Sequence, residues 1–289
     1  MSRPLPGANR LSLNQITTKN WSLSEAVQGC VDAGIPAIGL WRDKVALTGV
    51  TKAAKLVRDA GLSVSTLCRG GFLTAEGPHA RKDALADNLR ALEEAAELGT
   101  DTLVMVVGGL PEGSRDLAGA RARVADRLAE LAAHAGDLGV RLAIEPLHPM
   151  FCADRAVVST LGQALDLAEA HPVEQVGVVV DSYHVWWDPD LERQIARAGS
   201  GASAAGGGGR IASYQVCDWT LPLPADALLG RGHVGDGYID FEALTRMVTA
   251  AGYTGWIEVE IFNGQVWNAP GAQTLATLAE RHLAHVAGS

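Results

Sequence analysis

Short apolar runs and longer amphipathic stretches alternate eight times along this chain, and that rhythm restricts the fold more than any other feature. The runs predict strands at Leu11–Gln15, Ala37–Leu40, Ser63–Leu67, Thr102–Val107, Arg141–Glu145, Val176–Asp181, Ile211–Cys217 and Trp256–Glu260. Between them, apolar residues at helical spacing predict helices such as Ser24–Ala33, Lys52–Ala60, Ala80–Leu98 and Ala120–Leu138. A glycine recurs where a helix gives way to the next strand, at Gly34, Gly61, Gly99, Gly139 and Gly252. Helices end readily on a left-handed residue, a conformation glycine enters without a Cβ clash. Near-continuous apolar runs such as Val176–Val180 suit strands covered on both faces, as in a parallel sheet. Eight strand–helix units predict a closed (β/α)8 TIM barrel, an α/β fold, as one domain over residues 1–289. A doubly wound open sheet is the competing fold. It calls for a glycine-rich phosphate loop after the first strand, and SLNQITTKNW has none.

Composition narrows the function. Hydrophobic residues make up 47% of the chain and charged residues 20%, the balance of a globular protein with a sizeable core. No apolar run reaches the roughly 18 residues of a membrane helix. The start, MSRPLPGANRLSLNQ, lacks the apolar stretch of a secretory signal, so a cytoplasmic location away from membranes is expected. Cys30, Cys68, Cys152 and Cys217 stand far apart with no CxxC pair, which reads as reduced thiols rather than a zinc ribbon. The net charge is −9 and the basic residues are scattered, which excludes a nucleic-acid partner. The segment from Gly199 to Gly209, GSGASAAGGGG, is expected to be a flexible connection.

Reactive groups of a barrel sit where its strands end. Strand five ends on Glu145, strand six on Asp181 and strand eight on Glu260, while strand seven carries Gln215 near its end. Three carboxylates and an amide would then meet at one mouth. Carboxylates crowded together repel unless a cation neutralises them, and an all-oxygen set favours Mn²⁺ or Mg²⁺ over Co²⁺ or Zn²⁺. Each residue also has a plainer reading. Asp181 suits a helix cap, and Glu258 and Glu260 suit partners for surface lysines or arginines.

The segments LAIEPLHP, GVVVDSYH, YQVCDW, GRGHVGDGYIDF and GYTGWIEVEIF resemble the successive motifs of the xylose isomerase-like TIM barrel superfamily, the sugar phosphate isomerase/epimerase group. The resemblance covers essentially the whole chain. It implies that Glu145, Asp181, Gln215 and Glu260 hold one divalent metal, that His184 is a site histidine, and that Arg231 contacts substrate oxygens. Two departures stand out. Gln215 takes a position at which the family usually has histidine, and Phe151 stands where ketose 3-epimerases often carry a second glutamate. The endonuclease IV branch needs histidines at the ends of strands three and four. Here LCRGGF and MVVGGL supply none.

The residues around these motifs add softer candidates. His148 is placed for acid/base work or for packing beside Pro149, Arg69 for an anionic or polar substrate group, and Trp187, Trp186, Trp41 and Trp219 for stacking on a ring. The expected activity is proton transfer through an enediolate of a small sugar or keto-sugar, unphosphorylated, with Glu145 or Glu260 removing the proton and the other returning it. The competing readings are a lyase on a keto-sugar, of dehydratase or C-glycoside deglycosidase type, and a non-catalytic ligand-binding barrel. Homo-oligomerisation or a small partner subunit is left open.

Overall fold

A computed structural model of the chain describes residues 7–200 and 209–287; most of the glycine-rich connection therefore lies outside the described residues. Eight strands appear where the apolar runs are: β1 (Leu11–Asn14), β2 (Ala37–Trp41), β3 (Ser63–Gly71), β4 (Thr102–Val106), β5 (Arg141–Ile144), β6 (Val176–Asp181), β7 (Ile211–Val216) and β8 (Ile257–Val259). Each pairs in parallel with the next, and β8 pairs with both β7 and β1, closing the barrel. All carboxyl ends therefore face one way.

Helices wrap the outside with one apolar stripe turned inward. In Leu117–Asp137 the buried positions Ala120, Val124, Leu128, Leu131 and Ala135 follow the helical repeat. Leu23–Ala33 opens with a capping box between Ser22 and Glu25 and ends on Gly34 at φ 67°. Gly61, Gly99, Gly139 and Gly252 also adopt positive φ at the helix–strand junctions, as their sequence positions predict. Among the described residues no helix is long and apolar enough to cross a membrane.

The barrel interior is divided. Small apolar side chains from β3 to β7 (Cys68, Val104, Ala143, Val179 and Ala212) form one side, with Trp41 packed against them. The other side is polar and fully enclosed, built from Ser12, Asn14, Ser65, Thr66, Gln215 and Glu258. Glu258 is thus a barrel-interior residue, and the expectation of a surface ion pair is corrected. Asn14, Ser65, Thr66 and Gln215 all donate to its carboxylate.

Strand β3 runs four residues past its predicted end, through Arg69, Gly70 and Gly71. Asn88, on the helix Pro78–Leu98, explains the overhang. Its side chain accepts from Gly71 N and donates to Gly71 O, both at 2.8 Å, replacing a strand neighbour. A Cβ on Gly71 would lie 1.9 Å from Val106 O, so only glycine fits there.

Candidate active site

The carboxyl ends of β5 to β8 bring Glu145, Asp181, Gln215 and Glu260 together, each buried. Arg231 reaches the same place from a two-residue antiparallel ribbon, Asp218–Trp219 against Arg231–Gly232, inserted between β7 and β8. Its Nη1 donates to Asp181 Oδ2 at 2.9 Å and to Glu260 Oε2 at 3.0 Å. The guanidinium is sandwiched between the rings of Tyr183 and Phe262, 4.7 and 5.1 Å from their centroids. The glycine-rich turn after it is organised by Asp218, which accepts from the backbone N–H groups of Gly235, Gly237 and Ile239.

Crowding of carboxylates out of water has the expected effect. Burial first, and then Glu260 and Asp181, push the Glu145 carboxyl well above the usual range, with Arg231 and Arg69 only partly offsetting this. Burial also raises Glu260, to about 8; Arg231 opposes the shift, while Asp181 and Glu258 add to it. Burial works against the charge on Arg231, but Asp181, Cys217 and Glu260 outweigh it and hold the group cationic. Asp181 does cap the short helix that follows, accepting from Tyr183 N through Oδ1, which leaves Oδ2 for Arg231.

His184 is also enclosed, and burial followed by the nearby Arg231 lowers its pKa well below the usual value, so the ring is neutral. Its Nδ1 accepts from His148 N at 3.1 Å, which puts the ring proton on Nε2. Nε2 stands 3.9 Å from Glu145 Oε1 and 3.8 Å from Asp181 Oδ2, beyond hydrogen-bond reach, and the neutral ring makes neither contact an ion pair. It also meets Arg231 Nη2 at 3.0 Å. In this tautomer that is donor against donor, and the other tautomer moves the conflict to His148 N–H. An acceptor oxygen between ring and guanidinium satisfies both.

The residues fit a divalent cation. One atom each from Glu145, Asp181 and His184 lies within 4.8 Å of the others. Gln215 gives its Nε2 proton to Glu258 at 3.0 Å, and its Oε1 is buried with no hydrogen-bond partner, as suits a ligand oxygen. The proton on His184 Nε2 makes that ring the weaker ligand, so the oxygen set of Glu145, Asp181, Gln215 and Glu260 is the better one.

A cavity of about 560 Å³ opens over this cluster, lined by Glu145, Glu260, His184 and Arg231 and, further out, by Trp41 and Arg69. Four of the softer candidates, His148, Trp186, Trp187 and Trp219, do not line it. The His148 ring packs against Trp187 and Trp219, 5.3 and 5.1 Å away, and its Nδ1 accepts from Met150 N. Trp187 donates to His184 O at 2.7 Å and so backs the histidine instead of lining the cavity. Sequence reasoning missed three residues. Asn14 ties Glu258 to Glu260 through one amide nitrogen, Asp218 shapes the Arg231 turn, and Arg155 lines the cavity. Asn14 was findable, since it ends β1 just as Asp181 ends β6.

Comparison with known proteins places this geometry. A 3-dehydroshikimate dehydratase of Pseudomonas aeruginosa is 29% identical over 92% of this chain, and the chain spans 41% of that relative's length. An inosose isomerase of Bacillus velezensis is 28% identical over 54% of this chain and 52% of its own length. The crystal structure of protein SMc04130 from Sinorhizobium meliloti 1021 superposes with a TM-score of 0.91 at 47% identity, covering 96% of this chain and 99% of that one. The family model for the xylose isomerase-like TIM barrel matches residues 27–283. With the closed parallel barrel and the carboxylate-lined mouth, that match makes this chain a member of the xylose isomerase-like TIM barrel family.

Proposed function

We propose that this chain is a divalent-metal-dependent dehydratase of an unphosphorylated cyclic polyhydroxy ketone. The observation that carries the reading is the asymmetry of the buried cluster, which pairs a raised-pKa carboxylate with two fixed donors, Arg231 and His184. A Mn²⁺ or Mg²⁺ ion held by Glu145, Asp181, Gln215 and Glu260 would supply Lewis-acid polarisation of the substrate carbonyl.

The protein groups account for the rest. Glu260 takes the proton from the carbon beside the carbonyl, as the base of the elimination. The donors His184 Nε2–H and Arg231 meet the negative charge that develops on the carbonyl oxygen, which ends their donor conflict. As the C–H bond breaks a C=C bond forms, the β C–O bond breaks, and the departing hydroxide takes the proton back from Glu260 and leaves as water. One base suffices for this. Epimerisation needs a second group on the opposite face of the carbon. Phe151, where ketose 3-epimerases often carry a second glutamate, is apolar and edge-on to His184 at 5.7 Å, which leaves Glu145 as the one candidate for that role among the buried cavity carboxylates.

Epimerisation or isomerisation is the second reading, favoured by the inosose isomerase relative and by the raised pKa of Glu145, which fits a proton carrier. Incubating the Mn²⁺-loaded protein in D₂O with 3-dehydroshikimate and with a keto-inositol separates the two. The expected result is loss of one water with a rise in conjugated-alkene absorbance, abolished by chelation. Solvent deuterium in an unchanged-mass skeleton, without water loss, would replace the dehydratase by an epimerase.

A further inference from the structure

The outer surface carries a cavity larger than the one at the barrel mouth, and the elimination chemistry does not use it. It is a groove of about 870 Å³ between the helices Leu23–Ala33 and Gly271–His285. Short side chains make it, with Gly29 and Ala33 on the first helix and Ala272, Ala276 and Ala279 on the second. Trp21 stiffens it, its ring so close to both helices that a Cβ on Gly29 would lie 2.5 Å from it and one on Gly271 1.9 Å. Leu283, 37% exposed, belongs to the same lining. Globular chains rarely leave contiguous apolar surface of this extent open, and where they do it marks a binding face.

Charge and shape on either side of Leu23–Ala33 say what covers the groove. Its rim carries Glu25, Asp32 and Glu280, all exposed and none paired with a cation among the described residues. On its other flank the same helix packs against Arg42–Thr48 and Val50–Asp59. There Leu47 is 85% exposed, more than any other large apolar side chain described. Beside it Lys52, Lys55 and Arg58 face solvent on Val50–Asp59, whose one acid, Asp59, is bound to Lys55. An apolar knob with basic neighbours thus stands on one side of a helix, and an apolar groove with an acidic rim on the other. Two chains of net charge −9 repel wherever like surfaces meet, so a shared face must set acid against base. A two-fold axis crossing Leu23–Ala33 does this, because each copy then offers its knob to the other's groove. Three adjacent helices of 10 to 15 residues, about 9 Å apart, present roughly 500 Å² before side-chain relief is counted, close to the roughly 600 Å² per copy of a small specific interface.

We propose that this face joins two copies of the chain into a dimer. Leu47 of each copy is seated in the other's groove, and Lys52 and Arg58 lie against Asp32 and Glu280.

Sedimentation velocity of the full chain over a concentration series tests it. A dimer with a dissociation constant on the order of micromolar is expected, and Leu47→Glu, which removes the knob and brings an acid to an acidic rim, is expected to weaken it about 100-fold or more. Ala276→Trp fills the groove from within and should separate the copies without touching the knob. Lys52→Glu with Arg58→Glu should separate them too. Adding Asp32→Lys and Glu280→Lys to that same chain should restore the dimer, a rescue that simple damage to the surface cannot produce. A protein that stays monomeric up to about 100 µM overturns the proposal. So does a dimer that survives both Leu47→Glu and Ala276→Trp, since it is built on another face.

Discussion

Glu258 and Glu260 lie two residues apart on the same strand end, and both are buried, yet they inhabit opposite environments. Glu258, in the barrel interior, is surrounded by neutral donors: an asparagine, a serine, a threonine and a glutamine, fixed by strands β1, β3 and β7. Glu260, at the mouth, is held by a guanidinium and the same Asn14, and it faces a cavity. Neutral donors locked into strands make a permanent structure, because no incoming group can replace them all. A charged partner on an inserted ribbon can be exchanged for another cation or for substrate. Burial alone does not identify a reacting group; the kind of partner does.

The contrast breaks most sharply in activity. Glu260→Gln is expected to lower turnover about 10³-fold or more with little change in stability, since it removes the base and relieves a buried charge. Steady-state rates beside calorimetric melting check this, and a large fall in melting temperature would erase the distinction drawn above. Glu258→Gln should do the reverse. Its new amide sets a donor against the floor donors and is expected to cost about 3 kcal/mol in urea unfolding, while the folded fraction loses far less turnover than Glu260→Gln does, through the loosened Gln215 amide alone.

His282 sharpens the point by showing what burial does to a ring whose Nδ1 has no partner among the described residues. It lies in the outer helix Gly271–His285, is 1% exposed, and its Nδ1 has no hydrogen bond. Burial, with a smaller push from Arg10, lowers its pKa to about 4. The folded value lies below the unfolded one of about 6.5, so the unfolded state binds the proton first and stability falls as pH drops from about 6.5 towards 4. Between pH 7 and pH 4.5 the protein should lose about 2 to 3 kcal/mol more than a His282→Gln variant, measured by urea unfolding at both pH values. The smallest effect is expected at His148, whose ring lies behind the cavity. His148→Asn should leave turnover within about 3-fold, because the contact to His184 comes from the backbone N–H, which any residue but proline supplies.

Much of this was legible beforehand. The strand ends named all four oxygen-bearing residues that meet at the mouth, since parallel strands in a closed barrel must deliver their last inward residues there. The period-two rule held more than was taken from it. If Glu260 points inward then Glu258 does too, and a surface partner was never compatible with its register. His148 was placed near the reaction because it follows Glu145 by three residues, but in an irregular loop sequence spacing carries no direction. Arg155 was invisible for the opposite reason. Its position depends on Gly109 admitting a distant loop, a contact that no local pattern encodes. The β3 overhang was likewise hidden, because Arg69-Gly70-Gly71 reads as a turn until Asn88 is seen to hold it.

Gln215 joins the two regions, and its amide cannot turn over. With Nε2 committed to Glu258, the oxygen presented on its other side is set from below, by the residues that keep the barrel closed. The selectivity of a divalent ion bound at the mouth would thereby be inherited from the foundation. A change in Ser65 or Thr66, remote from any substrate, would retune the chemistry by loosening the anchor of one amide.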